Sequence, residues 1–433
     1  MLEHQRPSGL QSPLGLTVFC LPDAGDSFVP PCPIILATMK LGSLAVERRP
    51  RHLRLFPRPR YSIRSSGALA RGRGILMTMT GEAEALLSLA ASMPGDPDAL
   101  RAASGKVEDW DSLAGLTERN GLAGILWSEL RRAGVSPPLS AIRRLEEFVT
   151  LQRLRQPRLE RSLEEAIGAV ANAGVPCALL KGPFLGERLY GEAALRPSVD
   201  LDLLVAADDL DRATAGLGDA GWRVQEGASA RWHRRHHHHL LLGRPGSTDV
   251  ELHFRAHVGF GAVLPAEDLL GRTSPSEFLG KPVRLLAPED EALYLAVHAA
   301  GHGLARLLWL VDLKGLLALH PGLDWGAIVA RARACGLRRA AAFSFAAASD
   351  LGAEIPPEAL VLSPLRRRAA TRAGHAALGL ARPGSTVGSL ALNAILADGP
   401  LPAARFVSAQ LARIARRRAA RALGRHAPHE WSA

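Results

Sequence analysis

The chain has 433 residues, 47% of them hydrophobic, and carries 53 Lys and Arg against 42 Asp and Glu. A chain of this length exceeds one ordinary domain and can bury a sizeable core, so we expect two or three structural units. The excess of basic residues lies in residues 1–79 and 401–433, whereas acidic residues slightly outnumber basic ones in residues 80–400. A basic nucleic-acid groove through the middle of the chain is therefore not expected, and only the basic tail could contact nucleic acid, weakly.

The four cysteines lack the CxxC and Cys/His spacings of metal sites, which fits a reducing compartment. No stretch approaches about twenty uninterrupted apolar residues, and the N-terminus lacks the order of charge and hydrophobicity of a signal peptide. We therefore expect a cytoplasmic protein without a membrane span.

Residues 1–79 are rich in Pro, Gly, Ser and Arg and show no helical or strand period, which is typical of a disordered basic extension. Because helical patterning begins just after Met77 and Met79, this extension could also reflect a start site assigned too far upstream.

Residues 80–173 have helical patterns, which we interpret as a helical N-terminal segment. Between Glu82 and Arg132 apolar residues recur every three or four positions, and they should pack as a small helical layer. A further helix is predicted from Leu159 to Ala173, where Gly174 ends it as a left-handed cap.

Residues 174–285 change period and predict a mixed α/β core. Short apolar or alternating runs predict strands, and two stretches between them suit helices. The predicted strands are Val175–Leu180, Val199–Val205, His236–Leu242 and Thr248–Phe254, and the predicted helices are Phe184–Tyr190 and 208–220.

Residues 286–400 return to helical patterns and form a predicted helical C-terminal domain, followed by a basic tail over residues 401–433. An Arg-rich amphipathic helix is predicted within the tail. The predicted helices are Glu291–His302, Ala305–Leu319, Trp325–Ala334, Arg339–Leu351 and Phe406–Leu423.

A pair of carboxylates gives a chemical signal that is weak by itself, because surface turns and strand edges often contain Asp-x-Asp. Asp200 and Asp202 stand at alternate positions of a predicted strand, so they should project from one face, with Val199, Leu201 and Leu203 facing the core. Two carboxylates this close repel each other without a cation, and together they can hold Mg²⁺. On a later predicted strand Glu251 shares a face with His253, and it is the best candidate for a third carboxylate.

A Lys-Gly turn precedes the carboxylate pair. The first predicted strand of the core ends at Lys181-Gly182, directly before a helix, which supplies a cation and the amide donors of a helix N-terminus. This arrangement is suited to binding phosphate.

The order of these motifs resembles a known family. In chain order the motifs are Lys181-Gly182, Tyr190, Arg196-Pro197, the string from Ser198 through Asp200 and Asp202 to Val205, and Val250-Glu251-Leu252-His253. Together they are similar to the motifs of bacterial uncharacterised nucleotidyltransferases of the polymerase-beta-like superfamily. The likeness extends to His298, His302, Arg306, Trp309 and Asp312 and covers roughly residues 80–350.

The resemblance implies a fold, a reaction and a set of site residues. The expected fold is α/β, a polymerase-beta-like core with a mixed sheet between helical N- and C-terminal segments. The expected reaction transfers a nucleoside monophosphate from an NTP such as ATP to an acceptor, with Mg²⁺ or Mn²⁺ and release of pyrophosphate. The implied metal ligands are Asp200, Asp202 and Glu251, and the implied phosphate-binding residues are Lys181, Gly182, Arg196 and Ser198.

Two residues depart from the superfamily pattern. The position after Gly182, usually Gly or Ser, is Pro183, which offers neither an amide proton nor a hydroxyl to a triphosphate. The third acidic residue is Glu251, where Asp is more usual. Glu251 and His253 are the first candidates for a general base.

The histidines allow other interpretations. His236 to His239 form a run that we interpret as an edge or surface strand, because neighbouring strand residues point to opposite faces and cannot all bind one ion. His298 and His302 are spaced as in zinc helices, but the catalytic Glu of His-Glu-x-x-His is absent. They could pack against the core or, with His253, line a cleft, and Asp312 and Arg306 could pair with them or with each other.

Two alternatives to the enzyme stay open. The chain could be an NTP-binding accessory or regulatory protein without transfer activity, or a metallohydrolase that uses His298 and His302. The acceptor of a transferase could be a small molecule, a protein or a tRNA.

Overall fold

The N-terminal part of the chain is a layer of helices that begin at identifiable caps. The computed structural model describes residues 81–225, 230–369 and 386–422, and the predicted extension over residues 1–79 lies outside them. Asp96 and Asp109 accept backbone N–H groups at the starts of the second and third helices. These helices are α1 (Gly81–Ser92), α2 (Pro97–Ser104), α3 (Trp110–Arg119), α4 (Ala123–Ala133) and α5 (Leu139–Asn172).

Helix α5 is longer than the sequence predicts. It begins at Leu139, contains 34 residues and continues through Pro157. Its second half buries the predicted face, which includes Leu163 and Ile167. Gly174 then adopts φ 70°, and the next N–H, that of Val175, donates to Val170 O, so the predicted left-handed cap is confirmed.

A mixed sheet forms the centre of the chain, which confirms the predicted fold class. The strands of this region are β1 (Ala178–Leu179), β2 (Leu201–Leu204), β3 (Arg223–Val224), β4 (His239–Gly243), β5 (Val250–His253), β6 (Arg255–Gly259), β7 (Ala262–Pro265), β8 (Ser274–Phe278) and β9 (Lys281–Leu285). The sheet has the order β3-β4-β5-β2-β1-β9-β8, in which β2 is parallel to β5 and antiparallel to β1, and β6 and β7 form a separate hairpin. The helices of this region are α6 (Pro183–Tyr190), α7 (Leu210–Asp219), α8 (Ala230–His236) and α9 (Ala266–Leu270).

The sheet differs from the prediction in three places. Strand β2 begins only at Leu201, so Val199 is 79% exposed and its predicted core position is wrong. The strand predicted from His236 begins at His239, because α8 continues to His236. The sequence also does not predict β3, the hairpin of β6 and β7, or the strands β8 and β9.

The C-terminal part is helical, as predicted. The helix Trp325–Ala334 has the predicted bounds, and the three predicted helices around it begin and end within a few residues of the prediction. The helix Thr386–Leu396 is not predicted, and the last helix begins at Pro400, before its predicted start. The predicted end of the last helix, Leu423, lies outside the described residues. These helices are α10 (Pro288–Gly301), α11 (Leu307–Leu319), α12 (Trp325–Ala334), α13 (Arg338–Asp350), α14 (Thr386–Leu396) and α15 (Pro400–Ala422).

Two hydrophobic clusters hold these elements together. One cluster lies between the sheet, the second half of α5 and α7, and it includes Leu163, Leu203 and Leu252. The other joins buried residues of α1 to α4 with those of α10 to α13, such as Leu86 and Leu313. The helices before and after the sheet therefore share one core. Within the described residues, every helix is too short or too polar to cross a membrane.

Candidate active site

Strands β2 and β5 bring two predicted carboxylates together. They pair in parallel with Asp202 opposite Glu251, and His253 follows two residues later on the same face of β5. His253 Nε2 lies 3.1 Å from Asp202 Oδ1 and 3.3 Å from Glu251 Oε2. The imidazole therefore bridges the two carboxylates, and it is 2% exposed.

Lys181 supplies a positive charge to the same place. It follows β1, which pairs with β2 on the side opposite to β5. Its Nζ lies 2.7 Å from Asp202 Oδ2 and 3.7 Å from Asp200 Oδ1. Burial opposes the charge on Lys181, but the charges of Asp202 and Asp200 raise its pKa above the ordinary value. An internal cation thus balances the carboxylate pair.

Asp200 differs from Asp202 in exposure. It precedes β2, and its side chain is 30% exposed, whereas that of Asp202 is fully buried. Burial and the neighbouring charge of Asp202 raise the pKa of Asp200 to about 6, although Lys181 opposes the shift. Asp200 is therefore the carboxylate of the predicted pair that solvent or a ligand reaches.

Glu251 and His253 perturb each other. Burial would raise the pKa of Glu251, but the hydrogen bond from His253 and the charges of His239 and Lys181 lower it. Burial likewise disfavours the charged form of His253, but its hydrogen bonds to Asp202 and Glu251 raise its pKa to about 9. A protonated His253 therefore stabilises both carboxylates in the folded protein.

The turn between β1 and α6 has the shape that the sequence predicts. Gly182 adopts φ 77° and ψ −146°, a conformation that favours glycine, and Pro183 takes the first position of α6. A Cβ at Gly182 would lie 3.6 Å from Ser198 Oγ, so the turn packs against the segment that leads to Asp200. Lys181, Gly182 and Ser198 are thus neighbours of the carboxylates.

Arg196 does not point freely into the site. Its guanidinium is 4% exposed and donates to both carboxylate oxygens of Asp312 on α11, while Nη1 donates to Ser198 Oγ at 3.3 Å. The Tyr190 hydroxyl donates to Asp312 Oδ1 at 2.7 Å. The predicted pairing of Asp312 with His298, His302 or Arg306 is therefore wrong, because Arg196, distant in sequence, is the buried partner of Asp312.

His298 and His302 form an aromatic group with Trp309. The ring centroids of His298 and His302 are 4.7 Å apart, and those of His302 and Trp309 are 4.8 Å apart. Burial, and then the charge of Lys181, lower the pKa of His302 to about 4. Burial and the neighbouring charges of His302 and Lys181 also lower the pKa of His298.

The histidine run reaches the site, contrary to the prediction of an edge or surface strand. β4 lies between β3 and β5, and His239 pairs in register with His253. His239 Nδ1 lies 3.8 Å from Glu251 Oε2. The sequence contained the signal, because the predicted strands of His239 and His253 could be paired, but the run alone does not give the strand order.

Two groups of side chains in the described part of the chain could hold a metal ion. One consists of Asp202, Glu251 and His253, and the other of His238, His239 and His253, each with ligand atoms within 4.8 Å of one another. Asp202 Oδ2 is buried and forms an ion pair with Lys181 Nζ, but it accepts no hydrogen bond of good geometry. The carboxylate oxygens suit Mg²⁺ or Mn²⁺, so this donor set fits such an ion. Neither group contains His298 or His302, and the metallohydrolase alternative thus gains no support from the described residues.

A comparison with protein families agrees with the motifs. A family model described as uncharacterised nucleotidyltransferase matches residues 106–352. Among solved structures, the chain is similar to the antibiotic-resistance factor ANT(2'')-Ia, at 15% identity over 40% of this chain and 89% of that chain, with a TM-score of 0.29. No curated protein matches the chain. Since the family model covers more than half of its residues, the chain belongs to the uncharacterised nucleotidyltransferase family and is a nucleotidyltransferase.

Proposed function

We propose that this enzyme moves a nucleoside monophosphate from an NTP to an acceptor and releases pyrophosphate in a reaction that depends on Mg²⁺ or Mn²⁺. The observation that supports the proposal is the convergence of Lys181, Asp200, Asp202 and Glu251 from three neighbouring strand ends. A structural ion pair would need one carboxylate for one lysine. Three carboxylates against the charges of Lys181 and a protonated His253 leave net negative charge, to which a divalent ion would bind.

Asp200, Asp202 and Glu251 would hold the metal ion. When bound, Mg²⁺ offsets the charge that develops on the transferred phosphoryl group and on pyrophosphate. Because His253 donates to Asp202 and Glu251, it positions these ligands rather than accepting a proton from the substrate. Of the two candidate bases, Glu251 is therefore the one to test first.

Residues of the turn between β1 and α6 would bind the phosphate groups of the NTP. Lys181 Nζ balances negative charge, and the N-terminus of α6 after Gly182 attracts anions. The acceptor oxygen or nitrogen attacks the α-phosphorus, the bond from that phosphorus to the β-phosphate oxygen breaks, and pyrophosphate leaves. The proton of the acceptor passes to a general base, for which Glu251 is the candidate to test first.

A pyrophosphate-release screen tests the proposal. The full chain is incubated with each of the four NTPs, Mg²⁺ or Mn²⁺, and a cell extract as the source of acceptor. We expect the double variant Asp200→Asn/Asp202→Asn to lose at least about 100-fold in rate, because the charge that stabilises the transition state is removed. Asp208→Asn is the matched control, since Asp208 is an exposed aspartate close in sequence.

The outcomes separate the enzyme from its alternative. Equal pyrophosphate release by wild type and the double variant would refute the assignment of the site. NTP binding without release by either protein would instead support the accessory protein, which Pro183 favours because it removes an amide donor from the phosphate turn. With an α-³²P-labelled NTP, the fraction that acquires label identifies the acceptor as a small molecule, a protein or a tRNA.

A further inference from the structure

We propose that His238, His239 and His253 form a binding site for a transition-metal ion such as Zn²⁺, next to the carboxylates that would hold Mg²⁺. One nitrogen of each imidazole lies within 4.8 Å of those of the other two. Two of the residues belong to paired strands, since His239 on β4 is in register with His253 on β5. The sheet therefore fixes the backbone on which this histidine triad is built.

The rings of the histidine triad are mutual neighbours. The centroid distances are 4.6 Å between His238 and His239, 5.3 Å between His238 and His253, and 5.2 Å between His239 and His253. Ligand nitrogens around a tetrahedral zinc ion lie about 3.3 Å apart, given Zn–N bonds of about 2.0–2.1 Å. The triad nitrogens, which lie within 4.8 Å of one another, are therefore already near the separation that such an ion requires.

Two nitrogens of the triad lack a hydrogen bond, although Glu251 Oε2 lies 3.8 Å from one of them, His239 Nδ1. His239 Nδ1 and His253 Nδ1 are both buried without a hydrogen bond. Buried polar atoms are nearly always satisfied, because the loss of water costs free energy, so an unsatisfied atom in a concave group of donors points to a bound species. Three imidazoles select Zn²⁺, Co²⁺ or Ni²⁺ over Mg²⁺, which prefers oxygen.

The carboxylates beside the triad add to its affinity for a cation. Glu251 Oε2 lies 3.8 Å from His239 Nδ1 and 3.3 Å from His253 Nε2. A carboxylate at this distance can serve as a further ligand or can hold an imidazole in orientation. The set of three nitrogens and one oxygen is a common composition for a four-coordinate zinc ion.

Cobalt binding to the full chain tests the proposal. Protein freed of metal by a chelator is titrated with CoCl₂, and the visible absorption of bound Co²⁺ reports tetrahedral coordination with nitrogen ligands. We expect one Co²⁺ per chain in the wild type, displaced by Zn²⁺. His238→Ala/His239→Ala should weaken binding by more than about 100-fold, beyond the 10–100-fold that changes outside the ligand set cost.

Three further variants make the result decisive. His236→Ala/His237→Ala removes the other half of the histidine run, and it should bind Co²⁺ like the wild type. His239→Gln preserves the size of the side chain and should still lose the tetrahedral spectrum. Asp200→Asn should keep Co²⁺ binding while it loses pyrophosphate release, so that failure of this proposal and of the proposed function are distinguishable.

The proposal is overturned if the wild type shows no tetrahedral Co²⁺ spectrum. It is equally overturned if His236→Ala/His237→Ala weakens binding as much as His238→Ala/His239→Ala does, because the run would then chelate metal without a built site.

Discussion

The buried ion pair between Arg196 and Asp312 gives the sharpest stability prediction. Asp312 is fully buried and Arg196 nearly so, and their contact joins the segment before β2 to α11. Asp312→Asn keeps the size of the side chain and an acceptor for the Tyr190 hydroxyl, but it leaves the Arg196 charge without a counter-ion. We therefore expect the free energy of unfolding to fall by about 3–5 kcal/mol, the cost of breaking a buried pair.

This loss is a large part of the stability of an ordinary domain, about 5–15 kcal/mol. The control is Glu192→Gln, which breaks the pair of Glu192 with Arg153, where the side chains are 39% and 53% exposed. That change should cost less than about 1 kcal/mol, because water screens an exposed pair. The double variant Arg196→Met/Asp312→Leu should recover most of the loss, since apolar side chains of similar volume often replace a buried pair without penalty.

Urea unfolding followed by circular dichroism measures all three variants. The reasoning is refuted if Asp312→Asn costs no more than Glu192→Gln. It is also refuted if the double variant is less stable than Asp312→Asn, since the uncompensated charge of Arg196 would then not be the cause.

Two further predictions concern the carboxylate site in chelator-treated protein. Because the pKa of His253 is raised from 6.5 to about 9, its contribution to stability is complete below pH 6.5 and is lost as the pH rises through 9. Thermal unfolding should show a loss of about 3 kcal/mol between these pH values, which His253→Gln abolishes, and an unchanged pH profile in that variant would contradict the assignment. Lys181→Met should make Mg²⁺ raise the melting temperature more than it does in wild type, because the internal cation no longer competes for Asp202. Lys314→Met, which removes another buried lysine, is the control and should leave the Mg²⁺ response unchanged.

The sequence predicts best what depends on local periodicity. Helices α12 and α13 follow from apolar spacing, and the left-handed Gly174 follows from the end of a period. The mixed sheet between helical flanks could also be predicted, because strand and helix patterns alternate along the core.

What depends on contacts distant in sequence could not be predicted. Asp312 faces Arg196 only because α11 packs near the segment before β2, and no local spacing encodes that contact. The strands β8 and β9 contain Pro275 and Pro282, which weaken any strand pattern. The histidine run alone predicts an edge or surface strand, because the strand order that places β4 beside β5 depends on the whole sheet.

The shared core of the flanking helices bears on where this enzyme can be shortened. The family model begins at residue 106, so it excludes α1 and α2. Leu86 and Leu89 of α1 are nevertheless fully buried in the core that also contains α10 and α13. Truncation of the chain to the residues that the family model matches would expose the apolar surface that α1 and α2 cover. Exposed apolar surface of this kind promotes aggregation. The smallest autonomous unit of this enzyme therefore extends at least to Gly81 on its N-terminal side.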